Sequence, residues 1–312
     1  MTCFWRDEIK CHCSEELSHI VTPSFLWVSS VRVSSDGTSV VVNSSPDNVS
    51  SYLYKSVDNL NTWNPIYAFN SVYFFFASKA LSAVNVSHGS GRSFSSDFGV
   101  SWLERTWSGW GWLFLFDTIA SSADGVKLFT GRSLGGGNKS LIVSTDSGAS
   151  FSGLGITGKF HGFASDANGV NLFASGERTA GIYVSNSSGA SYTQKTFGSV
   201  DFFNEIVCSD DGVYAAVCGE DDNLYLSSDY GYSFTPVALP KPYIRYVTMS
   251  STGEYILACG DGNIVFSSDF GATFSTLTSL AGKAWVSPAI SDALSKVFVV
   301  DSNTGELWGM GV

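Results

Sequence analysis

The sequence predicts an all-β fold, a seven-bladed β-propeller built from four-stranded antiparallel blades. Three observations point there. An eight-residue phrase recurs along the 312 residues at a nearly constant interval. Each copy follows a second turn signal made of Ser, Asp or Asn, and Gly. The composition suits short strands and tight turns, with 32 Gly, 7 Pro and 14% aromatic residues.

The phrase reads Ser-Ser-Asp-Phe-Gly-Val-Ser-Trp at Ser95–Trp102 and Ser-Thr-Asp-Ser-Gly-Ala-Ser-Phe at Ser144–Phe151. It returns at Ser227–Phe234 and Ser267–Phe274. Two worn copies are Ser56–Trp63, with Leu60 where Gly is expected, and Ser185–Tyr192, with Ser187 in place of Asp. The third positions are Asp58, Asp97, Asp146, Ser187, Asp229 and Asp269, giving spacings of 39, 49, 41, 42 and 40 residues. Such a period marks propeller blades of four strands. Asp can accept backbone N–H bonds inside a tight turn. Gly permits a positive φ, and the closing aromatic can start the next strand and pack between blades. Asp58, Asp97, Asp146, Asp229 and Asp269 are therefore expected to be structural.

The upstream turns, Ser34-Ser35-Asp36-Gly37, Ala123-Asp124-Gly125, Ala167-Asn168-Gly169 and Asp210-Asp211-Gly212, favour β-hairpins. Each blade then reads strand A, hairpin, strand B, loop, strand C, Asp-bearing turn, strand D. Trp285 to Trp308 supplies strands A, B and C of a seventh blade. Its fourth strand is expected from the N-terminal segment, residues 1–23. Thr2-Cys3-Phe4-Trp5-Arg6 is the candidate, being similar to Ser101-Trp102-Leu103 and Ser150-Phe151-Ser152. Closure of this kind removes an exposed edge and makes residues 1–312 a single propeller domain. The alternative is six blades with an irregular tail.

The phrase closely resembles the Asp-box, S-x-D-x-G-x-[T/S]-[W/F], over residues from about 28 to 275. That motif marks the sialidase-like propellers and the photosystem assembly-factor and Vps10-type families, and it implies their fold. Sialidase-like activity would imply three arginines clamping a carboxylate, a Tyr/Glu pair and an acidic acid/base, with carboxylates flanking the bond. The arginines here are Arg6, Arg32, Arg92, Arg105, Arg132, Arg178 and Arg245. Only Arg245 falls on the position expected to line the channel; Arg32, three residues further along its strand, is expected to face the other way. The Arg-Ile-Pro signature is absent. The chain is therefore expected not to be an enzyme, and no catalytic residue is assigned. Photosystem assembly-factor propellers are expected to present a basic patch, where this chain is acidic.

A net charge of −11 without a Lys/Arg-rich run argues against nucleic acid, which needs a basic surface. With 44% hydrophobic residues a real core is expected. The most apolar windows, Val72–Val86 and Trp107–Ala120, are short and interrupted by Lys79 and Asp117, so no membrane insertion is expected. Residues 1–13 lack the basic start and apolar run of a secretory signal. The chain reads as soluble, its compartment undetermined. Sequons at Asn43, Asn48, Asn85, Asn138 and Asn186 are near the number chance supplies in so Ser-rich a chain. Cys208, Cys218 and Cys259 read as buried free thiols. Cys3 also lies in the N-terminal segment. Cys11-His12-Cys13 with His19 has the wrong spacing for common metal sites. Glu220-Asp221-Asp222 lacks the alternation of a calcium loop. No metal and no cofactor is expected.

Counting back seven residues from each hairpin turn gives Ser29, Tyr73, Asp117, His161, Asn204, Arg245 and Val286 in strand A. Strand A lines a propeller's channel, and most of these positions are polar. Asp117, His161, Asn204, the adjacent Glu205 and Arg245 form the candidate ligand or partner site, although polar residues are also what a water-filled channel wants. Loops between strands B and C add Arg132, Arg178, Glu220, Asp221, Asp222 and Asp261 on that face. A protein partner is expected first, through that face, the rim or the aromatic stretch Trp102, Trp107, Trp110 and Trp112. A glycan is the alternative. A hydrolase or lyase would need two carboxylates in the channel mouth, with Asp117 and Glu205 as the pair.

Overall fold

A computed structural model describes residues 17–20, 27–44, 51–69, 72–78, 81, 83–88, 91–106, 118–177, 181–197, 200–241 and 243–310. The first blade contains β2 (Val28–Val33), β3 (Val40–Ser44), β4 (Ser51–Ser56) and β5 (Asn64–Phe69). The second contains β6 (Val72–Ala77), β7 (Val84–His88), β8 (Gly91–Ser95) and β9 (Leu103–Thr106). The third contains β10 (Ile119–Ser121), β11 (Leu128–Gly135), β12 (Asn138–Ser144) and β13 (Ser152–Gly158). The fourth contains β14 (Phe160–Ser165), β15 (Leu172–Gly176), β16 (Ile182–Ser185) and β17 (Thr193–Lys195). The fifth contains β18 (Phe203–Cys208), β19 (Ala215–Gly219), β20 (Asn223–Ser227) and β21 (Thr235–Ala238). Each is an antiparallel four-stranded sheet in sequence order.

The last two blades share strands. β22 (Ile244–Met249), β23 (Ile256–Ser267), β24 (Ser275–Ile290), β25 (Val297–Asp301), β26 (Glu306–Met310) and β1 (Ser18–His19) form one six-stranded sheet. The first arm of β23 pairs with β22 and its second arm with the start of β24. The second half of β24 pairs with β25 and so begins the seventh blade. The missing outer strand is β1, antiparallel to β26 through Ser18 against Gly309 and His19 against Trp308. The segment expected in that slot, Thr2–Arg6, lies outside the described residues; an N-terminal strand does close the ring, but the paired residues are Ser18 and His19.

The B strands are buried along their whole length in β3, β15, β19 and β25. They read as continuous apolar or small runs because both faces of a blade are covered. The outer strand β13 instead alternates toward solvent. Hydrophobic clusters sit between blades. Val31, Val42 and Phe298 join the first blade to the seventh. Phe173, Phe203 and Val217 join the fourth to the fifth. Leu257, Trp285 and Val299 join the sixth to the seventh.

A chain of backbone bonds ties the A–B hairpins together. Ala123 N–H donates to the Ala167 carbonyl, Ala167 N–H to Asp210, and Asp210 N–H to Ser251, at 2.7–2.9 Å. Ser251 N–H donates to the Asp292 carboxylate (2.5 Å), and Asp292 N–H donates to the Ser35 carbonyl (2.7 Å). The last link joins the seventh blade to the first.

The repeated turns have the geometry their residues demand. In Ser95–Trp102, Asp97 Oδ1 accepts the Ser95 hydroxyl (2.8 Å) and the Ser101 N–H (2.8 Å), and Oδ2 accepts the Ser101 hydroxyl (2.5 Å). Asp58, Asp146, Asp229 and Asp269 make the same three bonds. Ser187 keeps the three contacts with its single hydroxyl: it accepts the Ser191 N–H (3.0 Å) and shares bonds with the hydroxyls of Ser191 (3.0 Å) and Ser185 (3.4 Å). Each turn places two successive residues at positive φ, such as Phe98 (56°) and Gly99 (79°), and even Asn59 and Leu60 adopt it. The closing aromatics pack across blades: Trp102 lies on Tyr67 of the first blade, with ring centroids 4.5 Å apart.

Candidate functional site

The inner ends of the A strands surround a channel of about 220 Å³. One lining row lies two residues before the hairpin turn and holds Arg32, Ala120, Ala164, Val207, Thr248 and Ala289. A second, two residues earlier, holds Thr118, Gly162 and Glu205. Arg32 stands where the third to seventh blades place Ala, Val or Thr.

The expected row lies one residue further back, on a β-bulge. The ladders of β2, β6, β14, β18, β22 and β24 each slip at this point. Ser29, His161 and Arg245 are the extra residues of their bulges, and Asn204 and Glu205 share one in β18. A bulge re-aims the side chains that follow it. Arg32 therefore faces the channel, correcting the expectation that it faces away. Of the candidates, Glu205 lines the channel; His161, Asn204 and Arg245 are not among the residues of its wall. Asp117, Arg178, Trp107, Trp110 and Trp112 lie outside the described residues, so the Asp117–Glu205 separation does too.

Arg32 and Glu205 carry opposite charges on this wall. Arg32 Nη1 donates to the Val31 carbonyl (2.8 Å) and to the Ser287 hydroxyl (3.1 Å). Ser287 holds φ at 50°, a left-handed conformation unusual for Ser, and its hydroxyl also accepts the Val31 N–H at 3.1 Å. Glu205 Oε2 accepts the Val247 N–H (3.1 Å). Burial inside the protein raises the Glu205 pKa, and the Arg32 charge and the Val247 N–H partly offset this. Burial likewise lowers the Arg32 pKa, with Glu205 opposing. Sequence counting missed Arg32 because it assumed unbroken alternation along the strand. The signal was a lone charged residue at a position that is otherwise uncharged in the aligned A strands.

The His161 ring lies against Phe202, with centroids 4.1 Å apart, and its Nε2 is 4.0 Å from Glu177. Lys159 pairs with Glu177 at 3.1 Å. The Asn204 carbonyl accepts the Ser175 hydroxyl (2.6 Å). Asp222 accepts the Tyr243 N–H (2.7 Å), and Glu220 accepts the Asp201 N–H (2.7 Å), so these acidic loops brace the blade connections. Asp221 binds Asn223 and the Tyr225 hydroxyl. Tyr243 is 58% exposed and Tyr246 36%, beside the exposed Arg245 and Asp261. Among the described residues no group of three or more His, Cys, Asp or Glu could hold a metal ion. Cys208, Cys218 and Cys259 are buried free thiols. No helix of the described residues is long and apolar enough to cross a membrane.

YCF48 from Cyanidioschyzon merolae superposes with a TM-score of 0.68 at 16% identity, over 95% of this chain and 98% of that chain. A structure of YCF48 bound to D1 peptide gives 0.65 at 14% identity, over 95% of each chain. This chain is an Asp-box β-propeller. At these identities the likeness to YCF48 is one of fold. No family model matches the propeller, and no curated protein does.

Proposed function

We propose that this propeller is a non-catalytic binding module that docks a segment of a partner protein on the face where its A strands begin. The carrying observation is the exposed Tyr243 and Tyr246 flanking Arg245 on that face. Tyr and Arg are the side chains that most often anchor protein interfaces. A propeller of the same fold has been captured with a peptide, which supports a polypeptide ligand. Against catalysis stands the described channel wall, where Glu205 is tied to a backbone N–H and balanced by Arg32.

The test is a displayed peptide library panned against wild type, Tyr243→Ala/Arg245→Ala, and Tyr232→Ala. Tyr232 is 64% exposed on the opposite, Asp-box face. Selected peptides should bind at least about tenfold more weakly to the double variant and normally to Tyr232→Ala. Equal binding to all three would remove that face as the docking surface. A second reading has its own support: Tyr243 beside Asp222 and Asp261 is the arrangement of an aromatic platform for sugars. A glycan array bound by wild type but not by the double variant would promote carbohydrate over peptide.

A further inference from the structure

On the opposite face, where the A–B hairpins and the Asp-box turns lie, the fifth and sixth blades carry aromatic side chains that the turn itself does not require. At the fourth position of the turn the third and fourth blades place Ser147 and Ser188, whereas the fifth and sixth place Tyr230 and Phe270. Both aromatics hold a positive φ, 60° and 58°, a conformation uncommon for a bulky side chain. Both are exposed, at 42% and 43%. A ring left in solvent at a strained position points to a partner outside the chain. We infer that this sector of the Asp-box face is the docking surface for a Lys- and Arg-rich segment of a partner protein, whose cationic side chains lie over Tyr230 and Phe270. Tyr243 and Arg245 are on the other face, so this goes beyond the peptide-docking reading and does not rest on it.

The chain itself shows the chemistry. Phe98 occupies the same turn position in the second blade, with φ at 56°. Lys55, the residue just before the first blade's turn, places its Nζ 4.8 Å from the Phe98 ring centroid and donates to the Phe98 carbonyl at 3.2 Å. A cation held over an aromatic face is attracted by the quadrupole of the ring. The residues aligned with Lys55 beside the fifth and sixth turns are Val184 and Leu226. They pack against those turns: a Cβ added to Gly231 or Gly271 would collide with Val184 or Leu226. Neither can supply a cation, and among the described residues no Lys or Arg lies over Tyr230 or Phe270.

The two rings belong to one continuous surface. The Tyr230 N–H donates to the Val213 carbonyl (3.1 Å), and the Phe270 N–H donates to the Glu254 carbonyl (3.0 Å). Tyr214, next to Val213, lies against Phe270 with ring centroids 4.8 Å apart. The charge suits a cationic partner. The hairpins and turns of these two blades, residues 209–214, 227–234, 250–255 and 267–274, contain Asp210, Asp211, Asp229, Glu254 and Asp269 and no Lys or Arg. From the fourth blade Lys195 acts on Asp229 but lies over neither ring. Elsewhere on this face the chain provides its own cations: Lys127 and Lys296 end the hairpins of the third and seventh blades, and each bonds to a neighbouring blade, at Asn168 and Asn59.

The experiment is fluorescence anisotropy of the whole protein with a labelled peptide of repeating Gly-Lys-Ser-Arg, and with its counterpart in which Gln replaces Lys and Arg. The expected result is saturable binding of the cationic peptide at about 150 mM salt, at least about tenfold tighter than the Gln peptide. Tyr230→Gly/Phe270→Gly removes both rings at positions where Gly is at ease and leaves the net charge unchanged. It should weaken the cationic peptide at least about tenfold, a loss that reads the rings and not the overall acidity. Tyr243→Ala should bind as wild type does. Equal binding of the two peptides, no saturation up to about 1 mM, or full binding by the ringless variant would each overturn the inference. So would association of the protein with itself that the same variant abolishes, since the face would then belong to a second copy. Should the double variant not fold, Tyr230→Gly alone, expected to weaken the peptide about threefold, decides in its place. Failure of peptide docking at Tyr243 and Arg245 leaves this result untouched, so the two readings fail separately.

Discussion

At the scale of residues, the repeated Asp carries both a turn and a pH dependence. At Asp97 the Ser101 hydroxyl and N–H and the Ser95 hydroxyl pull the pKa down to about 2. At Asp146 burial pushes upward, but the bonds from Ser150 and Ser144 outweigh it, and the value again falls to about 2. A carboxylate whose folded pKa lies below its unfolded value of ~3.9 stabilises the fold above that value. The contribution is lost as pH falls from about 4 through about 2. The melting temperature should hold between pH 7 and 5 and fall below about pH 4. Asp97→Ala/Asp146→Ala should lower it at pH 7 and flatten the acid limb; a double variant with the wild-type acid limb would refute the assignment. The sequons divide by the same local reading. Asn43 and Asn85 are buried, and the Asn186 amide donates to Asn171 and Tyr230, whereas Asn138 is exposed after a Gly-rich turn. In a secretory host, peptide mass spectrometry should find glycan at Asn138 and none at the other three.

At the scale of elements, the bulge in strand A decides what faces the channel. It also brings neighbouring blades close. A Cβ on Gly162 would lie 2.6 Å from the Ser175 hydroxyl, 2.8 Å from the Asn204 carbonyl and 2.8 Å from the Ile206 nitrogen. Two of these are backbone atoms of β18, which cannot swing aside. Gly162→Ala should therefore cost about 1–3 kcal/mol by overpacking, read as a lower denaturation midpoint in urea with an unchanged slope. An unchanged midpoint would show that the fourth and fifth blades can separate freely. The same bulge marks where the sequence stops being readable. Turn residues announced every described Asp-box, because Asp, Gly and the hydroxyls act within one turn. The inward face of strand A was not legible, because one extra residue reverses the alternation and nothing in the local composition declares it. His161 and Arg245 were expected on the channel and are not among the residues that line it, while Arg32 was expected to face outward and lines it.

At the scale of the whole molecule, stability depends on how the ring closes. β1 adds only two residues to the edge of β26, so backbone pairing is a small part of the closure. The flanking side chains carry more. Leu17 packs with Trp285, Val297 and Val299 between the sixth and seventh blades. Ile20 packs with Val28, Phe298 and Leu307 between the seventh and the first. The segment thus wedges the seventh blade from both sides, and the Asp292-to-Ser35 bond joins the same two blades at the hairpin end. The two side chains belong to separate clusters, so their effects should add. Leu17→Ala/Ile20→Ala should cost about 4 kcal/mol or more, and light scattering should show association that grows with concentration once the Glu306–Met310 edge is uncovered. Loss of stability without association would mean that the edge stays covered while the wedge fails. No loss of either would mean that the three C-terminal strands and the hairpin bonds close the ring unaided.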